Sequence, residues 1–130
     1  MNYAQAMKHY QKVGLQSQIA TADPHRLIQM LMQGGIDRVL QAKGALEHGQ
    51  LAEKGELIGK SIAIIGGLRE VLDFEAGGEV ALNLDRLYDY MTRRLTEANL
   101  KNDPSMLEEV ANLLREVKTG WDSISSAPQP

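Results

Sequence analysis

Apolar residues recur along most of this chain at spacings of three and four, the repeat that gathers them on one face of an α-helix. The segment at 56–74, ELIGKSIAIIGGLREVLDF, carries two such rows. One is Ile58, Ile62, Ile65 and Leu72; the other is Leu57, Ile64, Leu68 and Val71. A helix on the surface of a small bundle needs a single apolar stripe about 100° wide. A helix that is apolar over a wider arc either occupies the middle of a packing or keeps a face for a partner.

Start and stop signals divide the pattern into four helices. Asp23 is a good N-cap and Pro24 a good first helical residue, since proline lacks only an N–H that is unused there. The first stripe runs through Leu27, Ile28, Leu31, Ile36, Val39, Leu40 and Leu46, and glycine as the C′ residue predicts an end at His48-Gly49. The second helix is expected from about 52 to 74, stopped by the glycines of the EAGG stretch at 75–78. The third is expected from about 79 to 99 on the stripe Val80, Leu84, Leu87, Tyr88, Met91, Leu95 and Ala98. Asp103-Pro104 repeats the cap-then-proline signal and opens a fourth, with Leu107, Val110, Leu114, Val117 and Trp121 inward. Tyr88 and Trp121 read as structural, their polar tips reaching a hydrogen-bond partner or water.

No segment alternates, so no sheet is expected. Short connections make consecutive helices antiparallel neighbours. The expected fold is all-α: an antiparallel up-down-up-down four-helix bundle over 21–124, with a short N-terminal helical arm at 1–20 and a disordered tail at 125–130. In the arm, Tyr3, Met7 and Tyr10 share one side of a short helix, which is marginal alone and needs a surface to dock on. Glycines inside the predicted helices (Gly34-Gly35, Gly44, Gly59, Gly66-Gly67) mark either close helix approach or a shallow trough for a partner helix.

Composition narrows the function. Aromatics are 5% of the 130 residues, so the core is built from aliphatic residues, Met and Ala, which favour helices. The net charge of −3 and the lack of a basic block argue against nucleic-acid binding, which rests on clustered cations. With no cysteine, disulfides, thiol catalysis and Cys-ligated zinc are excluded. No run approaches the ~18 apolar residues of a membrane span, and no secretory signal is visible at the start, so membrane insertion is not expected and the cytoplasm is the expected location.

Candidate chemistry is equally sparse. Di-iron bundles use Glu-x-x-His, but the residues three before His9, His25 and His48 are alanines. His25 in a first turn and His48 at a helix end read as ordinary surface residues, poorly placed for phosphotransfer. The Gly-Gly pairs lack the lysine and strand of a phosphate loop, and no serine triad is suggested. The chain therefore reads as a non-enzyme without metal or cofactor. Taken on residues alone, the remaining classes are a binding protein and a generic helical adaptor or histidine phosphotransfer domain.

Residues 77–103, GGEVALNLDRLYDYMTRRLTEANLKND, are more specific. The GGE, the N-L, the L-Y-x-Y-M at 87–91 and the R-R-L with A-N resemble the most recognisable stretch of the flagellin-specific export chaperone family, FliS. Asp23 through Ile28 with Met30-Leu31, residues 60–73, Tyr10, and Glu109, Val110, Leu113, Leu114 and Trp121 are similar to its other segments, so the resemblance spans the chain. Met32-Gln33 departs from an aromatic and an Asp that are more usual there. The resemblance implies a cytosolic helical bundle that binds the disordered C-terminal segment of flagellin, keeps it unpolymerised and delivers it to a flagellar export gate component. An anti-sigma factor or co-chaperone is a further candidate partner. Apolar residues off the core stripes are the candidate partner contacts: Leu57, Ile64, Leu68 and Val71, then Leu82 and Tyr90, then Met106 and Leu113. Met7 and Tyr10 of the arm are expected to dock on the same groove.

Overall fold

The computed structural model describes residues 23–124, so the arm and the tail lie outside the described residues. Four helices follow one another: α1 (Pro24–Glu47), α2 (Leu51–Glu70), α3 (Phe74–Lys101) and α4 (Pro104–Asp122). No strand occurs among the described residues. The caps form as the sequence predicts. The Asp23 carboxylate accepts the Arg26 N–H at 2.7 Å, and that of Asp103 accepts the Ser105 N–H at 2.9 Å, each one residue before a proline. α1 closes through His48, with Gly49 at φ 75°.

The boundary between α2 and α3 differs from expectation. α2 stops at Glu70, and α3 begins at Phe74 rather than near 79. The reason is Asp73, whose carboxylate accepts the N–H groups of Glu75 at 3.1 Å and Ala76 at 3.0 Å. That side chain starts a new helix before the glycines are reached. The glycines fall inside the first turns of α3, where Gly78 at φ 52°, ψ −125° kinks it.

The helices form a closed ring. α1 packs on α2 and α4, α2 on α3, and α3 on α4. Long-range contacts fix the directions as antiparallel: the start of α1 meets the end of α4 through His25 and Trp121, and the start of α2 meets the end of α3 through Lys54. The innermost residues are Leu31 and Val39 of α1, Ile58, Ile64 and Ile65 of α2, Tyr88, Met91 and Leu95 of α3, and Leu107, Val110 and Leu114 of α4. α2 uses residues of both its apolar rows, because it is flanked by α1 on one side and α3 on the other. Most of its apolar width is therefore spent within the bundle.

At Gly35, α1 packs close against two neighbouring helices. A Cβ there would lie 3.3 Å from Leu114 Cδ1 and 3.4 Å from Ile64 Cγ2, so glycine lets three helices meet. Gly44, Gly59 and Gly66 have open space above them instead.

Polar contacts lock the ring. Lys54 is only 5% exposed, and its ammonium donates to the Asn99 carbonyl at 3.0 Å and to Asn102 Oδ1 at 2.7 Å. It thus caps the C-terminus of α3, where carbonyls lack intrahelical partners and cations are favoured. Arg69 at the end of α2 pairs with Asp85 of α3 at 2.9 Å, and Arg94 of α3 pairs with Glu109 of α4 at 2.7 Å. No helix among the described residues is long and apolar enough to cross a membrane.

Candidate functional site

The early end of α2 leaves an apolar cavity of about 340 Å³ at the end of the bundle where α1 begins. Ile28 and Met32 of α1 form one wall, and Leu68 of α2 with Val71 and Leu72 of the connector form another. α3 brings Ala81, Leu84 and Tyr88 to the third side, and Trp121 at the end of α4 closes the fourth. The Gly78 kink shapes the mouth. It folds the first turn of α3 so tightly that a Cβ on Gly77 would lie 2.9 Å from Ala81 Cβ.

The same kink overturns one expectation. Val80 was placed on the core stripe of α3, yet it is 67% exposed. The stripe was extrapolated from a regular helix, and the kink breaks the helical phase before Val80. Val80 instead lines the cavity from its open side. Phe74, the first residue of α3, is 47% exposed and is not a cavity residue.

Trp121 is held by a two-way clamp. Its indole stacks on the His25 ring with centroids 4.7 Å apart and planes 15° from parallel. Its Nε1–H donates to the His25 carbonyl at 3.0 Å, and the His25 Nε2–H donates to the Trp121 carbonyl at 3.0 Å. His25 is therefore half-buried and committed, rather than the free surface residue expected from the sequence. The His48 Nδ1–H donates to the Gly44 carbonyl at 2.7 Å. Each of these two imidazoles thus has one ring nitrogen occupied by a backbone carbonyl.

The expected partner contacts are dispersed. Leu68 and Val71 are buried but line the cavity. Ile64 and Met106 are buried in the core, and Leu57 and Leu113 are half-buried against it. Leu82 stands 44% exposed and is not a cavity residue. Tyr90 is half-buried, and its hydroxyl donates to a carboxylate oxygen of Glu109. Met7 and Tyr10 lie outside the described residues. The sequence reading missed Phe74 and Val80 as exposed apolar groups, and it missed the buried Ile28 and Met32 as cavity-lining residues. Met32 carried a signal, since it marks the departure from the family pattern and now lines the cavity wall.

A second depression of about 380 Å³ lies between α1 and α4, lined by Gln33, Asp37, Arg115, Lys118 and Asp122 among others. Its charges are largely satisfied by one another: Gln33 donates to Asp37 at 2.8 Å, and Lys118 pairs with Asp122 at 2.6 Å.

Comparison with known proteins finds relatives along most of the chain. A family model described as "Flagellar protein FliS" matches residues 6–128. The chain is 64% identical over 120 residues to a flagellar secretion chaperone FliSB of Pseudomonas aeruginosa, covering 92% of this chain and 95% of that protein. It is 47% identical over 119 residues to a flagellar secretion chaperone FliS of Vibrio cholerae, covering 92% and 88%. It is 45% identical over 126 residues to a flagellar secretion chaperone FliS of Salmonella typhimurium, covering 96% and 93%.

Proposed function

The chain belongs to the flagellar protein FliS family, and from that premise we propose that it is a flagellar export chaperone. In this reading it acts in the cytoplasm without catalysis, binds the disordered C-terminal segment of flagellin, keeps that segment from polymerising and hands it to a component of the export gate. The observation that carries the reading is the apolar cavity with the exposed Val80 among its lining residues. An apolar cleft in a bundle without a matching ligand chemistry suits an apolar side chain better than a polar substrate.

The physical mechanism is helix capture. A disordered segment with apolar residues at helical spacing lays its apolar face into the groove and becomes ordered there. Ordering takes back roughly 2 to 5 kcal/mol of the gross interaction energy, which keeps the complex releasable at the export gate. Leu68 and Val71 would meet the client at the cavity, while Leu57, Leu82, Tyr90 and Leu113 would extend contact along the flanks. Ile64 and Met106 would back this surface from inside, and Met7 and Tyr10 would compete for it from the arm.

Titration calorimetry with the isolated C-terminal segment of flagellin from the same organism tests the proposal. The expected result is a tight one-to-one isotherm with a negative heat-capacity change, together with more helix by circular dichroism in the complex than in its separated parts. Absence of heat and of co-elution, with both components soluble and with an arm-deleted chain as control, would overturn it.

A further inference from the structure

The cavity is apolar except for three side chains, and two of those are already committed. The Asp73 carboxylate accepts the first N–H groups of α3, and the Trp121 indole N–H donates to the His25 carbonyl. The third is Tyr88, which lines the cavity and is only 2% exposed. Its hydroxyl has no hydrogen-bond partner among the described residues. A buried hydroxyl without a partner is uncommon in native proteins, because the group loses water and gains nothing in return. Phenylalanine would fill the same core position without that cost. A phenol is already protonated at neutral pH, and burial pushes the Tyr88 pKa further up, so the hydroxyl is available as a donor.

We propose that Tyr88 is a specificity-determining residue of the cavity: its hydroxyl donates a hydrogen bond to the incoming client segment, which must place an acceptor beside its apolar anchor. The inference rests on the chaperone reading above and deepens it. Apolar burial alone accepts any greasy helix of suitable size. A buried donor discriminates more strongly, since a client lacking the acceptor leaves the hydroxyl unpaired in the complex. The acceptor is a helix C-terminal carbonyl of the client or a short polar side chain such as Asn, Gln, Ser or Thr. A carboxylate is disfavoured, because the surrounding walls are apolar and a buried anion needs more than one donor.

The test is Tyr88→Phe, titrated with the same flagellin segment as the wild-type chain. The expected result is a dissociation constant raised about five- to tenfold, the size of one net hydrogen bond. The free variant should be at least as stable as wild type, because it loses an unpaired group. Unchanged affinity would overturn the inference while leaving the chaperone reading intact. Failure of the wild-type chain itself to bind would overturn the chaperone reading and this inference with it. Replacing the client's polar positions one at a time supplies an independent arm. One of them should lower affinity for wild type and have no further effect on Tyr88→Phe, the signature of a direct pair in a double-mutant cycle. Full additivity at every position would count against a donor–acceptor contact.

Discussion

Glu109 shows how single side chains tie this bundle to pH. Its carboxylate accepts hydrogen bonds from the Tyr90 hydroxyl and from Arg94, joining α4 to α3. The Tyr90 bond first, and the Arg94 guanidinium after it, hold the Glu109 pKa below its ordinary value. Glu97 beside Lys101, Asp103 beside Ser105 and Asp122 beside Lys118 are shifted the same way. A carboxylate whose folded pKa is depressed contributes stability that is fully present above the unfolded value of about 4.3 for Glu. That contribution is lost as pH falls through the lower folded value. The chain should therefore weaken on the acid side below about pH 4, where these groups take up protons. Glu109→Gln should lower the urea midpoint slightly at pH 7, solvent screening keeping the loss small. It should also flatten the acid-side fall, so that variant and wild type converge near pH 2 to 3. Midpoints measured from pH 7 to 2 check this; a gap that stays constant to the lowest pH would mean that the ion pair is not the source.

At the scale of elements, the turn that begins α3 controls both the fold and the cavity mouth. Gly78 at φ 52°, ψ −125° occupies a region that only glycine enters without strain. Gly78→Ala is expected to cost about 1–3 kcal/mol in urea unfolding. Gly44→Ala, in the interior of α1 with open space above it, is expected to stabilise by up to about 1 kcal/mol. If both substitutions moved stability alike, the kink would not be the constraint. This pair also explains which boundaries the sequence made legible. Asp23-Pro24 and Asp103-Pro104 could be read because cap and helix start are local, with accepting carboxylate and donating N–H two or three residues apart. The α2–α3 boundary could not, because a glycine pair looks like a terminator until one knows that Asp73 has already capped a new helix ahead of it. The error propagated to Val80, whose side depends on the phase of α3 after the kink.

For the whole molecule, the all-α antiparallel bundle was readable because four stripes joined by short connections admit few arrangements. What the stripes could not tell was how much apolar width each helix would spend on neighbours. α2 has two neighbours, so Ile64 and Leu68, which looked like spare surface, are packed inside. The cavity was illegible for a different reason: it is assembled from the ends of four helices, far apart in sequence, and no local pattern encodes a space between ends. Its position nonetheless bears on the arm. α1 begins at the same end as the cavity, a short distance along the helix from the wall residues Ile28 and Met32. An apolar segment tethered there and docked on the cavity would compete with a client at a high effective concentration. If Met7 and Tyr10 hold the arm on the groove about 90% of the time, the client meets a tenth of the chaperone in a competent state. Its apparent affinity is then about tenfold weaker than the intrinsic one, or about 1.4 kcal/mol. Deleting residues 1–18 should tighten binding of the flagellin segment by that factor and increase the fluorescence of an apolar-surface dye in the free protein. The outcome separates two architectures: tighter binding means that the arm shields the groove until the client arrives, whereas weaker binding means that the arm is itself part of the surface that holds the client.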